Sequence, residues 1–446
     1  MAKAPKKPTK DKLAVVILAA GKGTRMKSDR PKVMHEIAGQ SMIKWIIATA
    51  ESLDPEKIIV VGGPDMPDLQ QAATPHDYLV QKKQKGTGDA VKAALPALKN
   101  FKGKVLVLLG DEPFLDKKAL QKMIAHDGVS VMAIEPPSVK GLGRMVLNDD
   151  GTLDKIVEEK DCTPSQKKIT LCNAGNFCIP SKHLEGWLGK LRANNAQKEY
   201  YLTDIPKIAK KDGFETQVFI TKSDISWGIN TRTELAEHEK LAQASLREKA
   251  MLAGVTMIDS DTVTLSADTK FGIDCVIEPN VFFGPGVKVG KGVTVHAFSH
   301  IEGASIESGA SVGPFARIRP KSTIKEGASV GNFIEVNRST VGKKSKAKHM
   351  SYLGDALIAE GVNIGAGTVI ANYDGFNKHQ THIEKGAFIG TNSTIIAPVK
   401  IDEGALVAAG STITKDAPKN ALAIGRSRQA NYAGWASKYR KLKTEN

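Results

Sequence analysis

From Leu265 to Ile413 an isoleucine, valine, leucine or phenylalanine recurs at every sixth residue, and few folds accept that spacing. The positions are Leu265, Phe271, Ile277, Phe283, Val289, Val295 and Ile301, then, one residue out of step, Ile306, Val312, Ile318, Ile324, Val330 and Val336. They return at Ile358, Ile364 and Ile370, and again at Ile383, Ile389, Ile395, Ile401, Val407 and Ile413. A helix repeats at 3.6 residues and a half-buried strand at two, so neither fits. The hexad predicts a parallel β-helix in which each repeat forms one short face and sends one apolar side chain inward. Gly290, Gly313, Gly331, Gly365 and Gly390 follow these positions and are expected to make the tight corners between faces.

The period lapses twice, over VNRSTVGKKSKAKHMSYLGDAL and over ANYDGFNKHQTH. Both stretches are expected to be polar insertions, and they hold His349, Tyr352, Asn372 and Tyr373. One polar insertion is usually a solvated loop. In repeat proteins insertions gather on one face, often the binding face, and two that pair an aromatic with amide or imidazole groups point to a site.

The preceding part of the chain alternates continuous apolar runs with segments of helical spacing. LAVVILAA (13–20), KIIVVG (57–62), KVLVLLGD (104–111) and VSVMAIE (129–135) read as buried parallel strands. The fold class is therefore α/β: a Rossmann-like open sheet followed by a β-helix. The expected division is a basic tail over 1–12, a sheet domain over 13–230, a linker helix over 231–254 and the β-helix with a C-terminal tail over 255–446.

The chain has 446 residues and a formal charge of +15, which favours anionic partners. No basic run interleaved with aromatics appears, so phosphorylated metabolites fit better than nucleic acid. No apolar stretch approaches a membrane span. Cys162, Cys172, Cys178 and Cys275 lack metal-site spacing and read as reduced thiols of a cytoplasmic protein.

The strand LAVVIL runs into AAGKGTRM, where Arg25 and then Lys32 follow a glycine-rich turn. The turn is not a Walker A loop, because no G-x-x-x-x-G-K-[ST] is present, and not a dinucleotide fingerprint, because Met26 stands where a third small residue is needed. Its glycines bring backbone N–H groups close to phosphates, and the two cations strengthen that reading. LAAGKGTRM…RPKVMHEIAG resembles the signature of sugar-1-phosphate nucleotidyltransferases. Joined to hexapeptide repeats, it resembles the bacterial family of bifunctional N-acetylglucosamine-1-phosphate uridylyltransferases/glucosamine-1-phosphate acetyltransferases.

For the first domain the resemblance implies Leu18, Ala19, Ala20 and Gly21 around the nucleotide, and Arg25 and Lys32 against the phosphates of UTP. Gln81, Gly86 and Thr87 match the segment that reads the uracil edge. Leu109 and Gly110 lead to Asp111, which with Asn230 matches the Mg²⁺-binding pair, hard oxygen donors suited to that ion. Gly143, Glu158 and Asn173 match contacts to the sugar, with Ala174 where the family often has threonine. A strand-end cap for Asp111 and a turn for Asn230 are the plainer alternatives.

For the second domain the resemblance makes His349 the general base that takes a proton from the amine of glucosamine-1-phosphate. Arg319, Tyr352 and Asn363 match contacts to that substrate, and Asn337 stands at a further contact position where the family has lysine. Arg338 is a candidate replacement, although strand alternation would aim it away. Ala366, Asn372, Tyr373, Thr391, Ala409 and Arg426 match positions along acetyl-CoA. The resemblance further implies a left-handed β-helix, a homotrimer and the synthesis of UDP-N-acetylglucosamine, through N-acetylglucosamine-1-phosphate, for peptidoglycan and lipopolysaccharide. Two other readings stay open: a sugar-1-phosphate nucleotidyltransferase with a structural β-helix, and a non-catalytic subunit resembling exchange factors.

Overall fold

The computed structural model describes residues 12–136, 138–221 and 227–444. All but Lys12 of the expected basic tail lies outside the described residues. Two compact units, Met1–Ala242 and Gln243–Asn446, divide within the helix Arg232–Leu252, so the expected linker helix is shared between them.

In the first unit a sheet runs Thr216–Ile220, Val129–Ile134, Cys172–Pro180, Lys104–Leu109, Leu13–Leu18, Lys57–Gly62 and Asp77–Val80. The four strands expected from sequence are all present. Pairing is parallel except at Cys172–Pro180, which runs against both neighbours. Along Leu13–Leu18, Val15 and Ile17 enter one core while Ala14 and Val16 enter the other. Burial on both faces explains why these strands read as unbroken apolar runs. Ligands of such sheets gather beyond the carboxyl ends of the strands, and the turn after Leu18 and the residues after Leu109 lie there.

The second unit is a parallel β-helix. Phe271 pairs in register with Val289, and Ile277 with Val295, so three hexads complete one coil. Every hexad residue named above is buried except Phe271, which packs partly buried against the same core. Each such side chain contributes roughly 1.5–3 kcal/mol by leaving water. Two residues before these positions a second inward side chain is small: Ala304, Ala310, Ala316, Ala387 and Ala405 are buried, and so are Ser322, Ser339 and Ser345. The serine hydroxyls bond the backbone of the next coil, as Ser339 Oγ to Leu353 O at 3.0 Å, and so stay satisfied in an apolar interior.

Two expectations need correction. The stretch between Val336 and Ile358 is not an insertion. Val341, Ala347 and Leu353 are buried and continue the coils through the strands Thr340–Val341 and Lys346–Gly354. An alanine and two one-residue slips, at Val341 and at Ile358, hid the period. The stretch after Ile370 is a true insertion, closed by the Tyr373–Lys378 bridge. The glycines were also assigned the wrong cause. Of the five, only Gly313 has positive φ. A Cβ on Gly331 would lie 2.1 Å from Lys348 O, and one on Gly390 2.4 Å from Ala409 N, so there the next coil excludes a side chain.

The last described segment is an exposed helix, Trp435–Thr444. No described helix is long and apolar enough to cross a membrane.

Candidate active sites

In the first unit a cleft of ≈ 590 Å³ opens at the strand ends, lined by Leu18, Ala19, Ala20, Gly21, Lys32, Gln81, Gly86, Thr87, Leu109 and Asp111, among others. Gly23 is left-handed (φ 62°), and a Cβ there would meet Lys32 Cβ at 2.5 Å. Glycine thus lets the turn close on the lysine. Lys32 Nζ donates to Asp111 Oδ2 and, at 3.0 Å, to Asn230 Oδ1. Arg25 donates to the same Asn230 oxygen at 2.8 Å. Two cations and two oxygen donors that lie far apart in sequence therefore meet at one point. A single ammonium touching both oxygens shows that they converge on the space of one cation, and their hardness suits Mg²⁺.

Asn230 is held from behind. Its N–H and that of Thr231 donate to Glu234 Oε2 at 2.6 and 2.9 Å, while Glu234 N–H donates to Thr231 Oγ1 at 3.2 Å. This capping box starts the helix Arg232–Leu252, and T-x-x-E made it legible in the sequence. Arg232 adds bonds to Met26 O (3.3 Å) and His35 Nδ1 (3.2 Å), tying the helix start to the turn that carries Arg25.

Gln81 is buried, and its amide nitrogen is committed to Gly86 O (3.0 Å) and Asp89 Oδ2 (2.9 Å). Among the described residues its own oxygen has no hydrogen-bond partner. Gly110 N–H donates to Leu18 O at 2.8 Å, which holds the two strand ends together. Gly143, Glu158 and Asn173 form a neighbouring group and do not line the cleft. Asn173 N–H donates to Gly143 O (2.9 Å), and Thr203 Oγ1 donates to Glu158 Oε1 (3.1 Å). Burial raises the Glu158 carboxyl above its ordinary range, against the hydrogen bond from Thr203.

The sequence reading missed Glu112. It is buried beside Asp111 and accepts from Asn176 Nδ2 at 2.6 Å. Burial, then the charge of Asp111, pushes its carboxyl well above the usual value. Gln84, Lys22 and Glu199 also line the cleft unanticipated.

In the second unit His349 is exposed at a corner of the prism, and its Nδ1 lies 2.9 Å from Asn332 Oδ1, its register partner one coil earlier. The carboxamide oxygen only accepts, so this contact favours the tautomer with the proton on Nδ1, in which Nε2 of the neutral ring holds the lone pair. Ala366, Thr391 and Ala409 continue that corner on successive coils: Asn392 N–H donates to Ala366 O and Gly410 N–H to Thr391 O. Arg426 closes the column with a 2.7 Å bond to Ala409 O.

The next face carries Arg319, Asn337 and Tyr352. Arg319 pairs with Glu335 at 2.8 Å, and Asn337 Nδ2 donates to Tyr352 OH at 3.3 Å. Asn372 bonds Asp355 at the far end of this face, and Tyr373 beside it is exposed. Asn363 stands apart, on the face before His349, paired with Lys346.

Residues 15–152 match the family described as the MobA-like NTP transferase domain, and residues 380–415 match the bacterial transferase hexapeptide of six repeats. The chain is similar to the Bifunctional protein GlmU of Paramagnetospirillum magneticum, 45% identical over 436 residues that cover 96% of this chain and 97% of the relative. The Bifunctional protein GlmU of Zymomonas mobilis is 44% identical over 443 residues, covering 96% and 98%. That of Sphingopyxis alaskensis is 46% identical over 434 residues, covering 96% of each chain. The chain belongs to the bifunctional GlmU family.

Membership sets aside the reading in which a nucleotidyltransferase carries a merely structural β-helix, and the non-catalytic one. It also gives weight to the point where this GlmU-family chain departs from the expected pattern. Arg338 was expected to point away from Asn337. It lies instead just past the strand Ser329–Asn337, with φ 50°, where strand alternation no longer applies. Its NH1 donates to Asn337 Oδ1 at 3.2 Å.

Proposed function

We propose that the chain N-acetylates glucosamine-1-phosphate with acetyl-CoA in its β-helix and then transfers UMP from UTP to N-acetylglucosamine-1-phosphate in its α/β unit. The product, UDP-N-acetylglucosamine, serves cell-envelope synthesis in the cytoplasm. The observation that carries this reading is His349, with a free Nε2, on the corner whose later coils bear Ala366, Thr391 and Ala409. An imidazole so arranged is a general base within a coenzyme track.

In acetyl transfer the amine nitrogen attacks the thioester carbonyl and gives its proton to His349 Nε2. The C–S bond breaks and the proton passes to the departing thiolate, so free CoA leaves. In uridylyl transfer a phosphate oxygen of the sugar attacks the α-phosphorus of UTP, and the bond to the β-phosphate breaks with loss of pyrophosphate. Arg25 and Lys32 stabilise charge on the phosphates. Gln81 accepts from the uracil, and Glu158 and Asn173 orient the sugar. Asp111 and Asn230 would hold Mg²⁺, which neutralises phosphate charge when bound.

A homotrimer is part of the proposal. Asn363 is separated from Arg319 and Tyr352 by the His349 corner, so one chain does not enclose the acceptor. Phe298, Phe315 and Phe333 stack, exposed, along that corner at 5.1 and 5.0 Å, a surface that neighbouring copies would cover. Purified protein given glucosamine-1-phosphate, acetyl-CoA, UTP and Mg²⁺ should release CoA and pyrophosphate. Failure to form either product would end this reading.

A further inference from the structure

Asn337 is a buried neutral amide that touches the Arg338 guanidinium and lies in register beside Arg319, whose own guanidinium pairs with Glu335. One coil earlier, Arg317 and Ile318 pair in register with Glu335 and Val336, so Arg319 is the neighbour of Asn337 across the coils. On its other side Arg338 donates to Asn337 Oδ1. Tyr352 OH accepts from Asn337 Nδ2, which places a phenol beside the same amide.

Arg338 is fixed in place. Its Nε and NH2 pair with the two oxygens of Asp355 at 2.6 and 2.7 Å, and Asn372 Nδ2 donates to the same carboxylate. Three of its N–H bonds are thereby engaged, and a guanidinium has five. The side chain is 28% exposed against 16% for Asp355, so the cation is the more open pole of the pair. The acids at this place, Glu335 and Asp355, face Arg317, Arg319 and Arg338, and Lys378 acts on Asp355 as well. The balance is positive. A rigid planar cation with unused donors beside a second arginine and a phenol is the donor set that binds a phosphate monoester.

We propose that Arg338 is a specificity-determining residue of the acetyl-accepting site and recognises the phosphate of the amino-sugar acceptor in concert with Arg319 and Tyr352. The proposal rests on the acetyl-transfer reading above and adds a residue to it. Asn337, by accepting from Arg338 and donating to Tyr352, spaces the two groups. Asp355 links this cradle to Asn372.

The experiment compares glucosamine-1-phosphate with unphosphorylated glucosamine as acceptors, reading CoA release. Arg338→Gln should raise KM for glucosamine-1-phosphate about 10- to 100-fold, the size of a lost charge-assisted hydrogen bond, and leave kcat/KM for glucosamine unchanged. The double variant Asn337→Lys with Arg338→Gln, which returns a cation one residue earlier, should recover most of the loss. Equal losses with both acceptors, or no rescue, would mean that Arg338 only clips Asp355, and the proposal would fall. Titration of the protein with glucosamine-1-phosphate, without acetyl-CoA, reads the contact apart from turnover. Unaltered binding by Arg338→Gln would overturn the assignment even if wild-type protein released no CoA, an outcome that would separately defeat the acetyl-transfer reading.

Discussion

Removing the Asn332 carboxamide tests whether the β-helix orients its imidazole as argued. In Asn332→Ala the Nδ1–H loses an acceptor at 2.9 Å. Because His349 is exposed, water replaces that partner, and the cost is that of one neutral hydrogen bond, about 0.5–1.5 kcal/mol. Without the carboxamide both tautomers are populated, and only one presents the Nε2 lone pair. The expected loss in kcat for CoA release is thus roughly 2- to 10-fold. Deleting the base itself, in His349→Ala, should cost about 10²- to 10⁴-fold. The two effects should not add: in the double variant the Asn332 change should be silent, because no ring remains to orient. The assay follows thiol release with glucosamine-1-phosphate, with uridylyl transfer to N-acetylglucosamine-1-phosphate measured on the same preparations as a control that should not move. Full additivity in the double variant, or a fall in uridylyl transfer, would refute the orientation argument.

Three other outcomes follow from named contacts. Lys32→Ala removes the ammonium shared by Asp111 and Asn230 and should lower uridylyl transfer about 10²- to 10³-fold; chelating divalent metal should likewise stop pyrophosphate release, and both treatments should spare CoA release. The Glu112 carboxyl sits well above its ordinary value in the fold, so the stability it contributes is complete below the usual carboxylate range and is lost as pH rises through its folded value; Glu112→Gln should flatten that decline, as urea melts at pH 5 and pH 8 would show. Gly331→Ala places a Cβ 2.1 Å from Lys348 O and should lower the thermal midpoint, whereas Gly309→Asn, left-handed with open space around it, should be nearly neutral.

What could be read from sequence was whatever repeats at fixed spacing or lies within one turn of a motif. The hexads gave the β-helix because each inward residue needs only its own coil. The period is masked at Ala347, which fills an inward position without the bulk of the other repeat residues. It misassigned Gly331 and Gly390 because the reason for glycine there is an atom of the next coil, not the local φ. Asn332 precedes His349 in register by one coil, so it becomes legible once the coil length is known, but not before. Glu112 and Asn176 are a different case. They meet because Cys172–Pro180 enters the sheet antiparallel beside Lys104–Leu109, with a register shift between Asn173 and Phe177. No local signal marks that insertion. The same strand begins near Asn173 and the same strand end carries Asp111, so the buried acid–amide contact ties the Asn173 strand to the convergence of Lys32 and Asn230. The least legible contact of the first unit is therefore one that fixes how the Asn173 strand and the Lys32–Asp111–Asn230 cluster face each other.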